Sequence, residues 1–371
     1  MHYPLIDILR GFAALLVLFY HVLALREWPG FPTIGLGQLP LNGWIGVDLF
    51  FVISGFVIGK TALEGFARGG SWRQHYFERR LARIVPLYVA TLALFLCLVN
   101  PDWLHQGIRS AYQIGAHLLF VHNLWHETHG SINPPNWSVG LEMQFYLLMA
   151  LCTPWLARTA TWKVFFVWSA MAITWRFGTT LAMPPGQSSP MFQFIYSSQL
   201  PGTLNEFVFG VCLAKLTHED RLTFSPRRFA GYGLSAAGLL VLACATALPE
   251  AEYWRSTTAI VFWRSLICAS LAALLACIVM FPGVTGGWLT WPFRYLGRIS
   301  YGIYLWHMPV LLTLLEKTPW QGARLLLATT TCSVALASLS WHGFEQLWLR
   351  RSAEGRPRFP RDAHMPGQVS A

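Results

Sequence analysis

The sequence predicts an all-α integral membrane protein: a bundle of about ten transmembrane helices with both termini cytoplasmic. Three observations predict it. Hydrophobic residues make up 54% of the 371 and charged residues only 12%, against about 25% charged in an ordinary soluble domain. The mean hydropathy is +0.43. Apolar runs of helical spanning length recur along the whole chain, which sets aside the short alternating strands of a membrane barrel.

Eleven apolar stretches can be marked: 5–25, 42–60, 81–99, 107–124, 137–157, 162–183, 198–215, 229–248, 257–281, 295–315 and 323–346. The first contains Asp7 and Arg10, continues through His21 and is followed by no convincing small-residue cleavage site. It therefore reads as a retained helix rather than a signal peptide. Basic residues set the orientation, because cytoplasmic loops are enriched in Lys and Arg. The 61–80 loop holds Arg68, Arg73, Arg79 and Arg80; further basic turns carry Arg158 and Lys163, then Arg221, Arg227 and Arg228, then Arg294. Segments 125–136 and 184–197 contain no Lys or Arg. These signs agree only if one stretch does not cross. The least apolar, 107–124 with Arg109, His117 and His122, is expected to be interfacial or re-entrant, leaving ten crossings. On this reading residues 1–349 form the membrane domain. Residues 350–371, with Arg350, Arg351, Arg356, Arg358, Arg361 and several prolines, form a basic, disordered cytoplasmic tail.

The formal net charge is +10. In a soluble protein that would point to nucleic acid; here the basic residues cluster beside apolar segments and mark loops, so no nucleic-acid partner is expected. The 7 cysteines all fall in apolar runs and no CxxC occurs, which suggests neither a disulfide framework nor a metal site.

Ionisable groups inside spans are costly, and each is a functional candidate. Arg10 and His21 are 11 positions apart, which places them within about 20° of one helix face and roughly 16 Å apart along the axis. Arg10 then lies near the cytoplasmic end with Arg80, Arg83 and Arg298. His21 lies in the outer third, with Asp48 and Glu142 expected at its level and one of them orienting it. Arg176, Glu206 and Arg264 also fall in outer halves. An inner cationic mouth suits a phosphorylated cytosolic molecule, since arginine grips phosphate with fork geometry. A histidine beside carboxylates suits general-base activation of a hydroxyl. Structural readings stand beside these. Arg79, Arg80 and Arg83 serve equally as positive-inside anchors, and Asp48 and Glu142 as buried partners of Arg264 or Arg176. Ser300, Tyr304 and His307, on one face at i, i+4 and i+7, serve as hydrogen-bonding groups within the bundle. A proton-coupled transporter or flippase of a glycan-linked substrate would use the same groups as a relay, but inverted repeats with paired broken helices are not evident.

At these residues the sequence resembles the acyltransferase-three family of membrane-bound O-acyltransferases, over about 5–346. The Arg10–His21 pair reads R-x10-H within LRGFAALLVLFYHV; GVDLFFVISGFVIG (46–59) resembles the second-helix motif, and RRLARIVPLY (79–88) the basic entrance to the third. NPPNWSVGLEMQFYLL (133–148) resembles the W-S-x-x-x-E-x-x-F-Y element, and LGRISYGIYLWHMPVL (296–311) the late S-Y-x-x-Y-L-x-H motif. The resemblance implies transfer of an acyl group, commonly acetyl from acetyl-CoA, to a hydroxyl of a sugar. The sugar belongs to a surface polysaccharide or its lipid-linked precursor, and the enzyme sits among the lipids of the bacterial cytoplasmic (inner) membrane. It implies no tightly bound cofactor, with acyl-CoA as co-substrate. His21 corresponds to the catalytic base, Arg10 to donor recognition, and Arg80 and Arg83 to the family's basic motif. Met143 stands where many relatives have a second acidic residue, leaving Glu142 as the sole carboxylate of its motif. Trp137, Ser138, Tyr304, His307, Arg264 and Glu206 are expected to bind the acceptor or support the site.

Overall fold

The computed structural model describes residues 3–182, 189–281 and 287–354, and no strand occurs among them. The principal helices are α1 (Pro4–Leu25), α2 (Gly46–Arg68), α3 (Trp72–Leu94), α4 (Ile108–Leu118) and α5 (Asn136–Arg158). They are followed by α6 (Thr161–Ala182), α7 (Pro190–Ser197), α8 (Leu200–His218), α9 (Pro226–Ala245) and α10 (Arg264–Val279). The last are α11 (Trp291–Arg298), α12 (Ser300–Lys317), α13 (Gly322–Ser340) and α14 (Gln346–Glu354). Short turns at Gln38–Leu41 and Glu250–Tyr253 lie on connections.

Among the described residues, 7 runs are long and apolar enough to cross a membrane: Pro4–Leu25, Gly43–Arg68, Trp72–Val99, Asn136–Arg158, Pro226–Ala245, Ala259–Val279 and Gly322–Arg350. Three further helices, α6, α8 and α12, have 22, 19 and 18 residues. Leu234, Leu240 and Val241 of α9 are exposed, the apolar outer surface that contact with lipid requires. The chain is a multi-pass membrane protein.

Several boundaries differ from the sequence reading, for local reasons. The expected basic loop at 61–80 is almost entirely helix: α2 runs on to Arg68 and α3 begins at Trp72. The added turns of α2 carry a Lys60–Glu64 pair at 2.9 Å, and Gly69 and Gly70, at φ +71° and +65°, make the sharp reversal. Helix α4 has only 11 residues, about 16 Å, roughly half the hydrocarbon thickness. Helix α14 continues to Glu354, past the expected boundary at 349/350. The remainder of the expected tail, 355–371, lies outside the described residues, as does 183–188.

Small residues let the central helices touch. On α2 and α8, a Cβ added at Gly55 would lie 2.2 Å from the Phe207 carbonyl oxygen, and one at Gly210 only 2.0 Å from that of Val52. One turn on, Gly59 faces Ala214, so each helix presents a small-xxx-small pair to the other. Helix α11 meets α1 in the same way, since a Cβ at Gly297 would overlap the Asp7 carbonyl.

Prolines inside helices free a carbonyl one turn earlier, which must be satisfied away from water. Pro309 in α12 leaves the Leu305 oxygen, and Asn133 Nδ2 donates to it at 3.1 Å. Pro154 in α5 leaves the Ala150 oxygen, and Arg73 Nε donates to it at 3.0 Å. Two distant segments are thereby fixed to the helices that flank the site.

Residues 113–136 hold a second buried polar group. The rings of His117 and His122 stack with centroids 4.0 Å apart, and both residues are fully buried. His117 Nδ1–H donates to the Gln113 carbonyl at 2.9 Å, while His117 Nε2 and both His122 nitrogens have no partner among the described residues. Burial pulls their pKa values down from 6.5 to about 4 and about 3, with the neighbouring His117 adding to the fall at His122.

Two outcomes follow from this packing. Gly210→Leu should prevent assembly of the α2–α8 pair, because the clash is with backbone; thermal unfolding in detergent should show loss of the native transition, and wild-type melting would contradict the packing. Lowered histidine pKa values mean that the unfolded chain binds more protons, so the stability they confer is complete above pH 6.5 and is lost as pH falls towards 4. The melting midpoint should drop over that window, by the equivalent of about 3 kcal/mol for each ring, and the drop should shrink in His117→Leu/His122→Leu.

Candidate active site

Two cavities lie in line between α1, α2, α5 and α12. The larger, about 480 Å³, is walled by Tyr20, Trp44, Trp137, Phe194 and Trp254, and receives His21, His129, Glu250 and Arg264. The smaller, about 50 Å³, is lined by Arg10, Ser54, Ser138, Glu142 and Tyr301 among others. Val47 and Tyr304 line both. The one-face arithmetic for α1 is met: Arg10 opens on one cavity and His21 on the other.

The hydrogen bonds around His21 determine its tautomer. His307 Nδ1 is 2.6 Å from the Tyr304 carbonyl, so it carries the proton and leaves Nε2 as an acceptor. His21 Nδ1 lies 2.9 Å from the Val17 carbonyl and 3.3 Å from that His307 Nε2. Both neighbours accept, so Nδ1 carries the proton on His21 and Nε2 keeps a lone pair at the cavity. The geometry is that of a base held ready, with the second histidine in the orienting position that a carboxylate usually fills.

This corrects the expectation that Asp48 or Glu142 orients His21, and for Glu142 the expected level as well. Asp48 is fully buried and accepts from Arg264 Nε and Nη2 at 3.1 and 2.6 Å. Glu206 Oε1 lies 3.4 Å from Arg264 Nε and accepts from Arg176 Nη2 as well, so one carboxylate oxygen is shared by both guanidiniums. The result is an alternating row, Asp48–Arg264–Glu206–Arg176, with two charges of each sign. Asp48, Glu206 and Cys268 converge within 4.8 Å and are the group of three potential metal ligands among the described residues. The Arg264 guanidinium bonds into that group and supplies the positive charge there. Glu142 belongs to the smaller cavity: its Oε1 accepts from Ser54 and from Tyr146, each at 2.9 Å.

Of the arginines, Arg10 lines the smaller cavity and Arg83 lies near it. Arg83 and Glu142 are close enough to Arg10 for their charges to act on it. Arg80 donates to Thr61 at 3.0 Å and lies over the Tyr146 ring, 5.7 Å from its centroid. Arg10 Nε and Arg80 Nε are buried without a partner. Fixed positive charge with unused donors beside a cavity is what an anionic ligand requires. Ser138 and Tyr304 are joined hydroxyl to hydroxyl at 2.7 Å, and Tyr304 also donates to the Pro135 carbonyl at 3.2 Å. Trp137 forms part of the larger cavity's wall.

His307 has a larger place than a generic intramembrane histidine. Sequence reasoning missed Tyr20, Trp44, His129, Glu250 and Trp254 altogether. Only Tyr20 left a signal, as the neighbour of His21. The others lie on connections or at helix ends, where periodicity assigns no face.

The chain matches the acyltransferase-domain family over residues 3–342. It is 28% identical, over 82% of its length and 72% of the relative's, to BcsY of Komagataeibacter xylinus, provisionally named a membrane-bound transacylase. It is 27% identical to YrhL of Bacillus subtilis, provisionally named a peptidoglycan O-acetyltransferase, over 92% of this chain and 54% of that one. It is 24% identical to the peptidoglycan O-acetyltransferase OatA of Listeria monocytogenes, over 83% of this chain and 49% of OatA. The chain thus spans about half the length of the two peptidoglycan relatives. No solved structure matches it. With residues of four of its five motifs lining two adjacent cavities and its sequence matched nearly end to end, the chain belongs to the acyltransferase-three family of membrane-bound O-acyltransferases.

Proposed function

We propose that the protein transfers an acyl group, acetyl from acetyl-CoA in the first instance, to a hydroxyl of a cell-surface saccharide or its lipid-linked precursor in the bacterial inner membrane. The observation that carries this reading is the bare Nε2 of His21, facing a cavity in line with the Arg10 cavity. The names of the relatives, O-acetyltransferases and a transacylase, support the reaction class.

In this mechanism Arg10, Arg80 and Arg83 hold the phosphates of coenzyme A, and the pantetheine arm runs towards the larger cavity. His21 Nε2 takes the proton from the acceptor hydroxyl as its oxygen attacks the thioester carbonyl. The imidazolium is stabilised by a strengthened Nδ1–H bond to the Val17 carbonyl and His307 Nε2. As the tetrahedral intermediate collapses, the C–S bond breaks and the departing thiolate takes the proton from His21. The products are the ester and coenzyme A. Glu142, through Ser54 and Tyr146, steadies the wall of the donor cavity.

The test separates binding from chemistry. In nanodiscs, His21→Ala should lower acetyl transfer by about 10²- to 10⁴-fold with acetyl-CoA affinity nearly intact, whereas Arg10→Ala should weaken acetyl-CoA binding. His307→Leu should lower kcat and shift its pH profile, and His307→Gln, which keeps an acceptor for His21, should recover part of the loss. Substantial transfer by folded His21→Ala would move the catalytic centre elsewhere.

We also assign ten crossings with both termini cytoplasmic: the 7 apolar runs plus α6, α8 and α12, with α4 entering without crossing. The support is the placement of Arg68, Arg73, Arg158 and Arg221 at the helix ends assigned to the cytoplasm. Single cysteines in a cysteine-free background at 103 and 130 should both label from outside, with 68 and 220 protected. Labelling of 103 and 130 from opposite sides would overturn the assignment.

A further inference from the structure

The connection between α9 and α10 carries a carboxylate that the mechanism above does not use. Glu250 lines the larger cavity, and Tyr20 donates to its Oε2 at 2.6 Å. The Tyr20 ring in turn meets the His21 ring edge-on, with centroids 5.0 Å apart. The carboxylate is therefore one side chain removed from the base.

Around it the cavity offers two kinds of surface. Trp44, Trp137, Phe194 and Trp254 contribute aromatic rings to its wall, and aromatic rings suit the apolar C–H faces of a pyranose ring. Trp44 Nε1 and His129 Nδ1 are buried without a partner, and both residues line the cavity. A polyhydroxylated ligand would satisfy such groups, and buried polar atoms left single call for an occupant.

The charge of the cavity has a sign. Among its lining residues only Glu250 and Arg264 are formally charged, because burial holds the His129 pKa down at about 3 and the ring neutral. Arg264 is committed to Asp48, Glu206 and Ser198, and that row is neutral as a whole. Glu250 has no cationic partner among the described residues. Glu250 is exposed at the cavity's rim, so a second negative group brought beside it would be repelled, and more strongly at low ionic strength.

We propose that the larger cavity is a saccharide site in which Glu250 selects the acceptor by charge, admitting neutral sugars and sugars with a protonated amine and excluding uronic acids. The inference rests on reading this cavity as the acceptor site. Glu250 accepts from a sugar hydroxyl or ammonium in place of Tyr20, whose released hydroxyl then faces the ligand beside His21.

The test uses the full chain in nanodiscs, with tryptophan fluorescence titrated by methyl β-D-glucoside, methyl β-D-glucosaminide and methyl β-D-glucuronide. Wild type should bind the first two at least tenfold more tightly than the glucuronide. Glu250→Gln should bring the three within a few-fold of one another, and Glu250→Lys should reverse the order of glucosaminide and glucuronide. Wild type that binds none of the three, or all alike, overturns the inference, as does an unchanged order in either variant at wild-type melting. Release of coenzyme A from acetyl-CoA is followed in the same samples. Charge-selective binding without acetyl transfer would keep this inference and remove the reaction it rests on; transfer indifferent to charge would do the reverse.

Discussion

The row Asp48–Arg264–Glu206–Arg176 is the interaction on which the rest of the structure depends. It joins α2, α10, α8 and α6 through charges that are almost wholly buried, with Arg264 alone reaching the larger cavity. A buried ion pair adds little net stability by itself, because desolvation offsets attraction; removing one member, however, strands its partner at about 3–5 kcal/mol. The row therefore acts as a constraint, permitting only the arrangement in which all four helices present their ionised groups together. Arg264 also stands 5.9 Å from the Trp44 ring centroid, which carries the constraint into the cavity wall. Helix α2 passes it on to α1, since Gly46 admits the Ala13 carbonyl at a distance that no side chain would allow. The position of His21 is the end of that sequence of contacts.

The broken helices extend the same logic. Pro309 stands two residues beyond His307, and the carbonyl it frees is held by Asn133, from the segment just before α5. That bond fixes the segment carrying His129 to the helix carrying His307. A proline thus determines how a connection folds more than 170 positions away in the chain.

The fold class was legible because composition and run length are properties of single segments, and the face shared by Arg10 and His21 because helical periodicity is local. Lateral neighbours were not legible. His21 and His307 are 286 positions apart, and Asp48 and Arg264 216; the period of one helix says nothing about which other helix lies beside it. Depth failed for Glu142 for a separate reason. Counting from the start of α5 assumes that the helix begins at the membrane surface, but its first residue, Asn136, and His129, Ile132 and Asn133 ahead of it are themselves buried. Helix α5 starts inside the protein, and Glu142 meets Ser54 below the level of Asp48 on α2. Arg80 and Arg83 share a neighbourhood because they lie within one turn of α3, whereas the approach of Arg83 to Arg10 on α1 is a lateral contact that neither helix reveals alone. Glu250 could not be found, since a carboxylate in a connection is ordinarily a solvated charge.

The partition shared by the two cavities bears on whether the bundle conducts protons. Val47 and Tyr304 contribute to both, Val47 carries no polar group, and the Tyr304 hydroxyl is already bonded to Ser138 and the Pro135 carbonyl. A continuous file of unengaged hydroxyls and waters between opposite faces of a bilayer would relay protons down the electrochemical gradient. An aliphatic side chain beside an occupied hydroxyl breaks such a file, so two adjacent polar cavities need not add up to a path for protons.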